Sequence, residues 1–522
     1  MASLEALDEV MVPGATLPEP ATAPEAAMLG MVGRGALGVA AAAALAGCPQ
    51  LVNPPIIETV GDPYEGGPPV VLAPNLKRLV DRITFGANAR ETNLAASLGY
   101  DGYLEYHLNP QGIDDEDIER QVNARFPGVF YTTKQVIDRY YMGDYQSYQD
   151  LVNATIFRAV YSRRQLFERT VEFWSDHFST YLDKDSVTPH KIMDDREVVR
   201  RHAFGNFPAL LSASAHSPAM LAYLDNDPSV AEDPNQNYAR ELMELHTIGV
   251  GNYTQFDVEE VARCFTGWSF EGDNEKSTFG TFKFNPYDHD ANAKTVLGFQ
   301  IPAGGGVGDG ERVLQILSQD AAFAPLTAAR LARKLAVKFW GDAPPAELVE
   351  EIATAYLETG GDIKAMLRVV LSEAWLSQAP PKFKRPFHLI ASALRSRPSQ
   401  IEDFWSLRNR LEQMNHHPFY WLPPNGYPEV GPFWMSFLVP RWKFGVDYVG
   451  WGLGATVDWT VFNEAADDTA FMDNVNLYIG GGAYPFDQLQ AIYSLLRDQP
   501  NNYWRRRQAL GLAFATPAFQ WV

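Results

Sequence analysis

Three histidines stand where an imidazole could do chemistry. His177 falls on the apolar side of the segment from Gln165 to Phe178, beside Trp174; His246 lies next to Leu242; and His289 is followed by Asp290 in a loop. Imidazole is the commonest biological metal ligand and general base, and an adjacent carboxylate can fix its tautomer. Taken singly, each reads as a core histidine with a satisfied hydrogen bond. Brought together, with Asp290 orienting one of them, they would suit metal binding or proton transfer. A second group is the row Asn237, Arg240, Glu241 and Glu244, which about 100° per residue places in one stripe of a helix, with His246 on the other side. One reading is a solvated face carrying an Arg240–Glu244 pair one turn apart. The other is a buried network of these residues with His246, in which Arg240 and Glu241 hold the loops bearing Asp225–Asn226 and His289–Asp290; a planar guanidinium can grip a carboxylate with two hydrogen bonds. The catalytic candidates are therefore His177, Glu241, Glu244, His289 and Asp290, and the metal-ligand candidates are His177, His289 and Asp290. The chemistry would be metal-assisted hydrolysis or redox. No HExxH, GxSxG or CxxC pattern occurs, so no motif indicates a cofactor, although a divalent metal is compatible with these residues. The glycine-rich run 304–310 lacks a following Lys-Ser/Thr and reads as a loop; the acidic run 114–117 reads as solvated surface, with weak calcium binding as its alternative.

The elements that must position these groups read as helices. Asp233 and Pro234 have the form of an N-cap and first-turn proline, with Gln236 closing a capping box. Gly249 and Gly251 stop that helix, and Thr254 with Asp257 opens the next, which Gly267 ends. Apolar residues recur at helical spacing from Leu76 onward, most cleanly over 165–178, and again over 326–340, 347–359, 363–371 and 503–515. Gly360-Gly361-Asp362 marks a stop and a new cap. Strand patterns are few: 281–284 and 295–300 suggest one small hairpin around the loop 285–294. The expected fold is mainly α, a large multi-helix single domain with loop insertions and at most that hairpin.

The chain has 522 residues, 46% of them hydrophobic and 20% charged, which describes an ordered globular protein able to bury a large core. A net charge of −21 disfavours nucleic acid and anionic lipid as partners. The many aromatic residues suit either stacking on carbohydrate or peptide, or a large helical core. Of two cysteines, Cys264 reads as a buried small hydrophobe. Cys48 ends a short apolar, alanine-rich run with one basic residue, and Leu45-Ala46-Gly47-Cys48 has the form of a lipobox, in which the cysteine is lipidated after cleavage. Residues 1–27 carry acids and no base, so translation from Met28 or Met31 would give a more ordinary signal. The expected organisation is a signal region over 1–47, a Pro/Gly-rich tether over 48–75 and a helical domain over 76–522. Pro49 after the cysteine points to the outer membrane if the cell is Gram-negative, and the membrane would be reached only through the lipid anchor.

FWSDHF at 173–178, HAFGNFPALL at 202–211, PAMLAYLDN at 218–226, the 235–254 and 262–268 segments, ARKLAVKF at 332–339, KRPFHLI at 384–390, WLPPNGYPEVG at 421–431 and ALGLAFATPAFQ at 509–520 carry a family likeness. In these the chain resembles the bacterial family called domain of unknown function 1800, from about Leu76 to the C-terminus. The resemblance implies a secreted envelope protein and suggests a secreted phosphatase/sulfatase-like partner protein; it brings no established residue roles. The reading is a lipid-anchored, extracytoplasmic cell-envelope protein with a helical binding or assembly domain for a polymer, peptide or partner. The alternative is a metal-assisted hydrolase or oxidoreductase using the His/Glu/Asp group.

Overall fold

Local sequence sets most of the helices directly. In the computed structural model, which describes residues 67–142, 146–273, 275–498 and 503–522, the segment Gln165–His177 is helical and buries Leu166, Thr170, Phe173, Trp174 and His177 along one side. Ala324–Phe339 starts with a proline in its first turn, where the missing N–H costs nothing, and buries Ala328, Leu331, Ala332, Leu335 and Phe339 at helical spacing. Ala346–Thr359 ends on Gly360 in the left-handed conformation. The Asp362 side chain then accepts the Ala365 N–H to cap Ile363–Val370.

Helix Gln236–Glu241 starts later than the sequence suggests. Its cap is Asn235, whose side chain accepts the Asn237 N–H, and not Asp233. An Asn carbonyl does the capping as well as a carboxylate, so two candidate caps two residues apart compete. The helix then widens into a π-type stretch over Leu242–His246 before Gly249 and Gly251, at φ 83° and 87°, turn the chain. Thr254 and Asp257 form the capping box of Gln255–Cys264.

The single hairpin is a misreading. Phe282–Phe284 pairs antiparallel with Trp268–Phe270, while Lys294–Val296 pairs with Phe299–Ile301. The second hairpin closes through Leu297-Gly298, both at positive φ (51° and 84°), the geometry of a type I′ turn. A leucine there hides the usual Asn-Gly signature; the Leu297 N–H donates 2.9 Å to Asp257 Oδ1, which holds the turn. A third two-stranded pair joins Ser399–Ile401 to Ala455–Val457.

The architecture is thus mainly α, with small two-stranded sheets as local clips. Among the described residues, apolar side chains gather in three clusters. The first contains Trp174, Phe207 and Leu335, the second Phe157, Phe387 and Phe514, and a small third Phe383, Tyr427 and Trp434. Helix Gln165–His177 contributes to the first and Pro386–Arg395 to the second, so their meeting line lies inside the protein. No described helix is long and apolar enough to cross a membrane. Cys48, the signal region and the tether up to residue 66 lie outside the described residues.

Candidate functional site

At that meeting line the helix Gln165–His177 turns its apolar residues inward to the first cluster and presents Glu172 and Asp176, one turn apart, to the opposite side. Helix Ala324–Phe339 presents Lys338 to Glu172 at 2.8 Å and to Glu429 at 3.3 Å. Arg385 immediately precedes Pro386, which keeps it extended at the helix entry and lets its side chain run back between the clusters. Its guanidinium contacts Glu172, Asp176 Oδ2 at 2.6 Å and Glu429 Oε2 at 2.9 Å. Arg169 reaches Glu172 at 3.0 Å, and Lys382 bridges Asp342 at 3.0 Å and Glu429 at 3.8 Å. Burial pushes the Glu172 carboxyl up, but Arg385, Lys338 and Arg169 overturn this and hold it well below the usual carboxylate range. Four of the segments that carry the family likeness meet here: FWSDHF supplies Asp176, ARKLAVKF supplies Lys338, KRPFHLI supplies Arg385 and WLPPNGYPEVG supplies Glu429.

Against this network lies a cavity of about 50 Å³. A water needs roughly 10–15 Å³ by this measure, so the space corresponds to a few waters or one end of a larger molecule. Phe387, Phe419, Trp421 and Tyr427 supply aromatic wall, and Asp176, Asp195, Ser175, Ser179 and His416 supply polar groups. The loop that brings Trp421 and Tyr427 is pressed onto helix Gln165–His177 at Gly426, where φ is 73° and a Cβ would collide with the Asp176 carbonyl oxygen. The polar ends of the two rings are tied down: Trp421 Nε1 donates to Asn425 Oδ1 at 2.9 Å and Tyr427 OH to the His417 carbonyl at 2.6 Å.

Asp195 sits in the π-type stretch Asp194–Arg200, a local widening that often marks a functional site. Its side chain makes no hydrogen bond with the described residues, although the residue is only 4% exposed. The cations around it are committed elsewhere. Arg200 binds Glu168 through two hydrogen bonds of 3.0 and 2.6 Å, Arg158 binds Glu119 at 2.9 and 2.8 Å, and Lys191 serves Thr180 and Asp194. Burial pushes the Asp195 carboxyl above its ordinary range. His416 Nδ1 accepts the Phe387 N–H at 3.1 Å, so the neutral ring carries its proton on Nε2, which has no acceptor among the described residues. Burial, reinforced by Arg385, holds this imidazole neutral, far below its ordinary range.

The residues singled out from sequence fall into separate places. His177 and His246 do come together, with ring centroids 6.0 Å apart. His177 Nε2 donates to the His246 carbonyl at 3.1 Å, and its Nδ1 accepts from Lys334 Nζ at 2.8 Å, so neither nitrogen is open to a metal. Burial and neighbouring Arg330 push Lys334 down to about 7, while burial pushes His246 down to about 3. His289 lies elsewhere, between the Thr266 carbonyl at 2.9 Å and Asp309 Oδ2 at 3.2 Å. Asp309, not Asp290, orients it; Asp290 is held by Arg263 at 2.7 Å and by Asn292. Among the described residues, no three His, Cys, Asp or Glu side chains are gathered so as to hold a metal.

The stripe on helix Gln236–Glu241 and its continuation is also not the anchor expected of it. Asn237 is exposed, and Arg240, Glu241 and Glu244 are half-buried. Arg240 donates to Gln255 at 2.8 Å and Glu244 accepts from Tyr253. Asp225 pairs with Lys184 at 2.6 Å, and Asn226 donates to the Phe265 and Trp268 carbonyls at 3.1 Å. Only Asn237, donating to the Leu224 carbonyl at 3.3 Å, approaches the Asp225–Asn226 loop. The following helix puts Gln255, not a carboxylate, against Arg240.

A mainly helical protein with an internal ion network and, beside it, a small cavity of largely apolar wall carrying a few polar groups is the class these features define. The family model described as protein of unknown function DUF1800 matches residues 78–521, and the chain belongs to that family. No curated protein and no solved structure matches it.

Proposed function

We propose that this is a lipid-anchored protein of the bacterial cell envelope whose helical domain binds a group of an envelope polymer, peptide or partner protein in the cavity beside Arg385. The observation that carries this reading is the unspent polar capacity of that cavity. Asp195, the His416 Nε2–H and the Ser175 and Ser179 hydroxyls line an interior space without hydrogen-bond partners among the described residues, and buried polar groups left so are costly unless a ligand or water meets them. The Arg385 network fixes the surrounding walls, which is what a preformed site needs. A secreted phosphatase/sulfatase-like protein fits the same reading as a partner. Metal-assisted hydrolysis or redox draws less support, because His177, His289 and Asp290 are engaged in three different hydrogen-bond sets.

The test is retention of the full-length protein on insoluble envelope polymer. Ser179→Leu, which fills the cavity, should lose retention while keeping the parent melting temperature within a few degrees. Undiminished retention of a folded Ser179→Leu protein would remove the cavity from the account.

A further inference from the structure

The donors and acceptors left open in the cavity are of both kinds, and this selects among ligands. A cation would meet Asp195 well but would face the His416 Nε2–H donor and Arg385. An anion would suit those two and would be opposed by Asp195 and Asp176. A hydroxyl both donates and accepts, so it answers a carboxyl, an imidazole N–H and serine hydroxyls at once. The aromatic wall supplies the second half of such recognition. Trp421 and Tyr427 are tethered by their polar ends, and aromatic faces of this kind pack the apolar C–H surface of a ring. At about 50 Å³ the space admits one edge of a ring, not a chain, so the rest of the ligand would extend past the Trp421 loop.

We infer that the cavity receives a neutral, hydroxyl-bearing group of carbohydrate type, with Asp195 as its hydrogen-bonding anchor and Trp421 as its stacking wall. This rests on the reading of the cavity as a ligand site. Asp195 makes no hydrogen bond with the described residues, so its replacement breaks none, and the neighbouring Arg200, Arg158 and Lys191 keep their own partners. Asp195→Asn keeps the shape and one carbonyl acceptor of the side chain and puts an amide donor in place of the second oxygen, which a hydroxyl can still answer, whereas Asp195→Ala abolishes both shape and hydrogen bonding.

Calorimetric titration of the full-length protein tests it, using glucose, galactose, mannose, N-acetylglucosamine and their β-linked disaccharides, with inorganic phosphate and choline as charged probes. At least one neutral saccharide should bind, with affinity lowered tenfold or more by Asp195→Ala and by Trp421→Ala, and within about threefold of the parent in Asp195→Asn. Thermal melts establish that each variant is folded. Binding of choline or phosphate without any neutral saccharide would overturn this inference and leave the cavity as a ligand site. Saccharide binding indifferent to Asp195→Ala would place the sugar elsewhere and also overturn it. If no probe binds, this inference fails, and the retention of Ser179→Leu on envelope polymer decides separately whether the cavity reading stands.

Discussion

Arg385 reaches Glu172, Asp176 and Glu429 from a side chain only 3% exposed, and each carboxylate it meets is drawn from a different turn or loop. Lysine cannot reproduce the planar fork, and its single compact charge cannot span the positions that the guanidinium nitrogens occupy among the three carboxylates. Arg385→Lys should therefore destabilise the protein by about 3–5 kcal/mol, the cost of breaking an interior ion pair and leaving charge unmatched. Arg240→Lys, on the half-buried stripe with a glutamine partner, should change stability by less than about 0.5 kcal/mol. Urea denaturation of the two variants checks both; equal losses would mean the two arginines are in equivalent environments. Lys334 supplies a pH dependence. Burial and Arg330 depress its folded pKa to about 7 from 10.5, so the stability tied to it is complete above pH 10.5 and is lost as pH falls through 7. Lys334→Met should accordingly be more stable than the parent at pH 6, by about 2 kcal/mol after allowing for solvent screening, with the difference closing near pH 10.5. A pH-independent difference in urea midpoint would contradict this assignment.

At the scale of elements, the contact of the 421–431 loop with helix Gln165–His177 is as consequential as any side chain. Gly426→Ala forces a Cβ against the Asp176 carbonyl at a positive-φ position and must push the loop outward. The expected result is a loss of about 2–4 kcal/mol together with loss of ligand retention, since Trp421, Tyr427 and Glu429 move with it. Chemical denaturation and the polymer-retention assay together check this. The helices were legible in the sequence because their apolar period, the Thr254–Asp257 capping box and the Gly360–Asp362 stop are local signals. The strand pairing was not, because the type I′ turn uses Leu297 and draws its support from Asp257, 40 residues away. The site was legible only in fragments. Asp176 and His177 are neighbours in one motif, yet they face different sides of the helix, and in sequence only the histidine carries a chemical signal. Arg385 lies 213 residues from Glu172, and nothing in local pattern announces that pairing. Asp195 is distinguished by the partners its surroundings withhold, a property no sequence window contains.

For the whole molecule, the placement of charge and anchor sets how the site would be presented. A net charge of −21 produces a field that opposes polyanions and does not repel neutral polymers, in keeping with the ligand class proposed above. If Cys48 is the lipid attachment point, Cys48→Ser should move the protein from the membrane fraction to the soluble fraction, because the lipid supplies the membrane affinity. Intact-mass spectra with an unmodified N-terminus at Met1 would contradict the anchor. The ion network lies where the first, second and small third apolar clusters meet, so the cavity it borders is built from segments spread across the chain. The most direct test of the central claim is hydrogen–deuterium exchange of the full-length protein alone and with the neutral saccharides. The account predicts slowed exchange in 172–180, 194–200 and 416–429, the segments that wall the cavity, and unchanged exchange in 237–246. Protection confined to 237–246, with the cavity segments unchanged, would contradict it.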